Sequence, residues 1–167
     1  MRRLHILVVS AAAVAALALP STAAATQTYL DTVTGVEIYA TSTEGTFVGT
    51  ANGDLPGSWE ATIDHTVLSP SAVITGGSFS LSTAIGSIPT LVTGDVTGGT
   101  VTRLNPNATG CVNQYFGIDA LLGGIGIGFS GTGTGEFTGL LTHYRKSIWG
   151  YCVTYAASVG GQFSLSF

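Results

Sequence analysis

From Ser58 to Val67 the chain changes character at every step. Trp59, Ala61, Ile63, His65 and Val67 alternate with Ser58, Glu60, Thr62, Asp64 and Thr66. Successive side chains of a strand point to opposite faces, so such a run buries one face and wets the other. A helix would spread the same residues around its whole circumference. After residue 25 no window places apolar residues at i, i+3, i+4 and i+7 with charges opposite, and Thr, Val, Ile, Tyr and Gly dominate. The fold class that follows is all-β.

The same alternation recurs along the chain. Val36, Ile38 and Ala40 oppose Glu37, Tyr39 and Thr41; Phe79 and Leu81 stand between serines; Val112, Gln114, Phe116, Ile118 and Ala120 oppose Cys111, Asn113, Tyr115, Gly117 and Asp119. Tyr144 to Ser147 reads as a hairpin end, followed by a strand from Ile148 to Tyr155. Gly76-Gly77, Gly98-Gly99 and Gly160-Gly161 each fall inside a strand-like stretch, where paired glycines mark bulges or sharp bends that let a sheet coil. The expected architecture is an antiparallel β-barrel of about eight to ten strands, with a β-sandwich as the alternative.

A second pattern spans the chain. Phe47 to Trp59 aligns without a gap on the segment beginning at Phe129, matching Phe47/Phe129, Gly49/Gly131, Thr50/Thr132, Gly53/Gly135 and Gly57/Gly139, with Asp54/Glu136 and Leu55/Phe137 alike. It predicts the same strand-turn-strand hairpin used twice. The register then puts Leu141, His143 and Arg145 on the face that carries Trp59, Ala61 and Ile63 in the first copy.

Residues 1–25 read as a signal peptide: Met1-Arg2-Arg3, an apolar run from Leu4 to Leu19, and Ala23-Ala24-Ala25 before the cut. Residues 26–167 are then one exported domain, with no stable membrane anchor after cleavage. In that domain Arg103, Arg145 and Lys146 face nine Asp and Glu, a net charge of −6. So acidic a chain has no electrostatic footprint for nucleic acid or anionic lipid. Cys111 and Cys152 lie in the exported part, where thiols are oxidised, and are expected to form one disulfide. The oligomeric state is left open by these residues.

His65 is the first candidate for chemistry, because the alternation sets an imidazole beside Trp59 and Ile63 as a ligand-binding trio. A base in an apolar pocket would serve a cyclase or isomerase, and a core histidine satisfied by backbone is the alternative. His143 and Arg145 are the second, converging with His65 and with Glu136 or Asp54 if both copies border one cavity. No nucleophile elbow, P-loop or zinc or calcium motif is present, so neither a cofactor nor a metal is called for.

Phe47 to Trp59, followed by Thr75-Gly76-Gly77-Ser78-Phe79, resembles the exported Gly/Thr-rich β-proteins of actinobacteria, a group without an assigned activity. More distantly the chain is similar to the allene oxide cyclase and dirigent type of eight-stranded barrel, which implies room for an apolar substrate. No catalytic residue of those families matches position by position, so their activity does not come with the likeness. Three functions stand as expectations: a secreted, non-enzymatic binder of a small apolar ligand or surface, a barrel enzyme using His65 or His143, and a small outer-membrane barrel suggested by the alternating end Phe163, Leu165, Phe167.

Overall fold

The computed structural model describes residues 26–128 and 131–167. Residues 1–25, expected to be a signal peptide, and Phe129 of the repeat lie outside the described residues. Eight strands follow one another: β1 (Thr28–Ala40), β2 (Glu44–Gly53), β3 (Gly57–His65), β4 (Ser71–Ile85), β5 (Ile88–Arg103), β6 (Gln114–Ile127), β7 (Gly133–Ile148) and β8 (Tyr151–Ser166). Each pairs antiparallel with the next, and β8 returns to β1, closing a barrel. There is no helix among the described residues. The barrel expectation is met at eight strands, and the sandwich alternative falls because closure leaves one continuous sheet.

Alternation decides what fills the barrel. Phe79, Leu81, Phe116, Ile118, Ala120, Phe163 and Leu165 are buried inside, while Ser78, Ser80, Ser82, Thr100, Thr138 and Ser164 form the pairing rows of the outer wall. The glycine pairs do two different things. At Gly76-Gly77 and Gly98-Gly99 the register slips by one residue, and Gly77 and Gly99 take φ of 140° and 121°. These bulges switch the inward parity from Ile74 to Phe79 and from Val96 to Val101. At Gly160-Gly161 the register is unbroken; there Gly161 and Gly139 leave room for the Phe137 ring, which any side chain would strike.

Trp59 uses the same device. Its indole lies over Gly35 and Gly49, which face each other across β1 and β2, and Nε1 donates to the Thr50 carbonyl at 3.2 Å. Large rings set against missing side chains fill the narrow interior of a small barrel. The remaining interior void, between Trp59, Phe79, Phe137 and Phe163, measures about 30 Å³, room for about one water-sized body.

The repeat is not a repeated hairpin. In the first copy Gly53 to Gly57 spans the β2–β3 turn, but in the second Gly135 to Gly139 lies within β7, because the β6–β7 connection has already turned the chain before Gly133. The face assignment survives for Leu141 and His143, which point inward. The β7–β8 turn sits at Trp149-Gly150, with Ile148 facing Tyr151, not at Tyr144 to Ser147. Both turn residues have positive φ, 51° and 83°, the left-handed pair a two-residue hairpin needs, and Gly150 supplies one of them without strain.

The two ends of the barrel differ. At the lower end, Leu55 of the β2–β3 turn tucks inside, Tyr29 stacks on Phe167 at 5.0 Å, and Leu81, Val92, Ile125 and Leu165 are fully buried. At the upper end, where β1–β2, β3–β4, β5–β6 and β7–β8 connect, the 104–113 loop leans across to β8. Cys111 and Cys152 join there, with Cα atoms 5.4 Å apart.

Candidate functional site

Beneath the upper rim the barrel widens into a basin. Between it and the interior lies a small void of about 30 Å³ lined by Phe47, Ile63, Val101, Ile118 and Leu141 together with Glu37 and His65. One lobe of about 270 Å³ lies against Glu37, Glu44, His65, Leu68, Phe116, Leu141 and His143. A second, of about 410 Å³, lies against Leu68, Pro70, Arg103, Pro106, Gln114 and Phe116. Leu68, Gln114 and Phe116 border both.

His143 reaches this basin because β7 keeps its parity through Leu141. Its Nε2 meets Glu37 Oε2 at 2.7 Å, with the two side chains 19% and 8% exposed. Phe116 lies against the imidazole, ring centroids 5.0 Å apart. Glu37 enters from β1, whose inward face is fixed by pairing with Phe47 of β2. With Nε2 donating to the carboxylate, Nδ1 of a neutral ring is the free acceptor.

His65 ends β3 at the rim, half-buried. The register slip between Asp64 and His65 leaves the extra residue on β4, at Thr75, so His65 keeps the face of Ile63 and borders the small void beneath the basin; its Nδ1 donates to the Thr66 carbonyl at 2.7 Å, leaving Nε2 as acceptor in the neutral ring. The trio of Trp59, Ile63 and His65 is nevertheless split. Ile63 touches both spaces, but Trp59 lines only the interior void and His65 only the upper end. Val67, expected on the same face, lies beyond the strand and is exposed.

Arg145 joins the upper end through Gln114. With the Gln114 amide turned so that its oxygen faces the guanidiniums, that oxygen accepts from Arg103 Nη2 at 3.1 Å and Arg145 Nη1 at 3.0 Å. Asn113 Oδ1 accepts from the Arg145 backbone N–H at 3.1 Å, and Asn105 Nδ2 donates to the Asn113 carbonyl at 2.8 Å. The loop, the disulfide and the two arginines thus form one wall. His65 and His143 border the same lobe, and Arg145 lies at the same end behind Gln114. Glu37, Gln114 and Arg103 complete the set without having been singled out.

Neither acid of the expected convergence is there. Glu136 is exposed on the outside of β7. Asp54 sits in the lower turn, where its Oδ2 accepts from the Leu30 N–H at 2.9 Å. Beside it Asp31 is buried, and both its oxygens accept from the Leu55 N–H, at 3.0 and 3.2 Å. Burial raises the Asp31 carboxyl above its ordinary value near 3.8, the Leu55 bond opposes that rise and the charge of Asp54 adds to it.

A carboxyl whose pKa is higher folded than unfolded holds its proton more tightly in the folded state. The penalty is therefore fully present above the folded value and is relieved as pH falls through it towards 3.8. Asp31→Asn keeps an acceptor for Leu55 and removes the charge. It is expected to be more stable than the parent at pH 7, the gap closing as pH falls. Urea midpoints of both chains across that range check it, and parallel curves would contradict it.

Among the described residues no cluster of three His, Cys, Asp or Glu is placed to hold a metal. Comparisons with protein-family profiles, with curated proteins and with solved structures give no match.

Proposed function

We propose that the protein is an exported, non-enzymatic binding barrel that holds a small, partly apolar ligand in its upper basin. The observation that carries this reading is the contrast between an interior with about 30 Å³ of free space and an upper basin whose lobes measure about 270 and 410 Å³. The larger lobe falls within the usual range of ligand sites, and the pair combines an apolar floor with a few convergent polar groups. The disulfide suits an oxidising compartment. The interior is packed with apolar side chains, where the lumen of a lipid-embedded barrel is polar, and the outside mixes Ser and Thr with exposed Leu30, Val36, Ile38 and Leu121; the apolar interior weighs against the outer-membrane alternative.

A cyclase or isomerase reading is favoured by one observation, the Glu37–His143 pair at 2.7 Å beside Phe116. A carboxylate that orients an imidazole is the arrangement of a general base. A binder uses the same pair to receive a hydroxyl or carbonyl, and the binder needs nothing further from the site.

Titration of the mature chain with 1-octanol, followed by NMR, tests the location. Signals of Leu68, Phe116, Leu141 and His143 are expected to move while the Trp59 indole N–H stays fixed. Movement of the Trp59 signal alone would put the ligand inside the barrel and end the basin reading.

A further inference from the structure

Arg103, Arg145 and Lys146 are the only Lys or Arg among the described residues, and all three lie at the upper end of a domain that carries nine acids. Like charges repel, so a protein with this balance would be expected to pair its few guanidiniums with carboxylates. It does not. Among the described residues neither Arg103 nor Arg145 has a carboxylate within ion-pair distance; Glu37, a carboxylate at this end, is taken by His143. Instead both guanidiniums share one neutral oxygen, that of Gln114. Among the described residues Arg103 Nε is buried without a hydrogen-bond partner, although a buried donor left unmade carries a full desolvation cost. Arg103 and Gln114 border the 410 Å³ lobe, whose other walls are Leu68, Pro70, Pro106 and Phe116.

We infer that this lobe takes an amphiphilic organic monocarboxylate, its head held by Arg103, with Arg145 adding its charge from behind Gln114, and its apolar body laid along Leu68, Pro106 and Phe116. The inference rests on the basin reading above and names its ligand class. A carboxylate supplies what the site lacks. It offers several acceptor positions to the planar donor fork of Arg103 and offsets the charge of both guanidiniums, as a neutral amide oxygen does only in part. The apolar walls set the second requirement, because a bare anion would leave them wet. The Gln114 amide spaces the two arginines in the empty site without neutralising them. A Glu at that position would occupy the site from within.

The test compares sodium octanoate, 1-octanol and sodium acetate by calorimetry and NMR on the mature, oxidised chain. Octanoate is expected to bind at the Arg103 lobe at least tenfold more tightly than either other probe, since charge-assisted hydrogen bonds to a carboxylate amount to about tenfold to a hundredfold in affinity. Arg103→Met should lose about tenfold for octanoate and Arg145→Met a smaller factor, and neither should lose affinity for octanol. Gln114→Glu should abolish octanoate binding while raising the melting temperature. It reads the site independently should an arginine variant not fold. Equal affinity for octanoate and octanol, or unchanged octanoate binding in Gln114→Glu, overturns the carboxylate inference and leaves the basin reading standing. If neither probe maps to the basin, both fall.

Discussion

Trp59→Ala is expected to lower the stability of the barrel by about 3–5 kcal/mol, the range for removing a large aromatic from a packed interior. The indole is 7% exposed, fills the space above two glycines that have no side chains of their own, and satisfies its N–H on Thr50. Truncation leaves a cavity that Gly35 and Gly49 have no atoms to fill. The complementary change, Gly49→Val, should be as damaging from the other direction, because the new Cβ would meet the Thr34 carbonyl oxygen and the indole together. Urea unfolding of the two variants measures both. A loss below about 1 kcal/mol in Trp59→Ala would mean that the ring is not packed as described.

Removing the disulfide as Cys111→Ala with Cys152→Ala is expected to cost about 4 kcal/mol on the chain-entropy account, given the sequence separation of 41. The same change should weaken ligand capture, because the bridge fastens the loop that carries Pro106 and leads into Gln114. Calorimetry with octanoate and urea melts on one preparation separate the two effects. Unchanged affinity in the folded double variant would show that Asn105 and Asn113 hold the loop by themselves.

The barrel was legible because a two-residue period and interior glycine pairs are local signals. Phe79, Leu81, Phe116 and Ile118 point inward as their alternation required, and Gly76-Gly77 and Gly98-Gly99 mark real slips of register. What a period does not specify is which of two faces is inside. On β1, Val36 and Ile38 resemble a core row and yet are 47% and 59% exposed, while Glu37 faces in. Only pairing with Phe47, a contact between strands, settles that choice. The upper site was half visible for the same reason. His143 followed from parity along a single strand, whereas Arg103, Gln114 and Arg145 meet only when β5, β6 and β7 stand side by side. The matched glycines and acids from Phe47 and Phe129 were misleading, since turn chemistry and close-packing chemistry both select Gly and the sequence does not distinguish them.

Seven of the eight strand pairings join neighbours along the chain, and only β8 with β1 joins its two extremities. Every other seam zips as its hairpin forms, so this one is the slow, long-range step of assembly. Until it shuts, Thr28–Ala40 and Tyr151–Ser166 present bare hydrogen-bonding rims to whatever chain is near. A newly made molecule is therefore most exposed to strand exchange with a sibling at the very place where, once folded, Thr28 and Ser166 lie side by side.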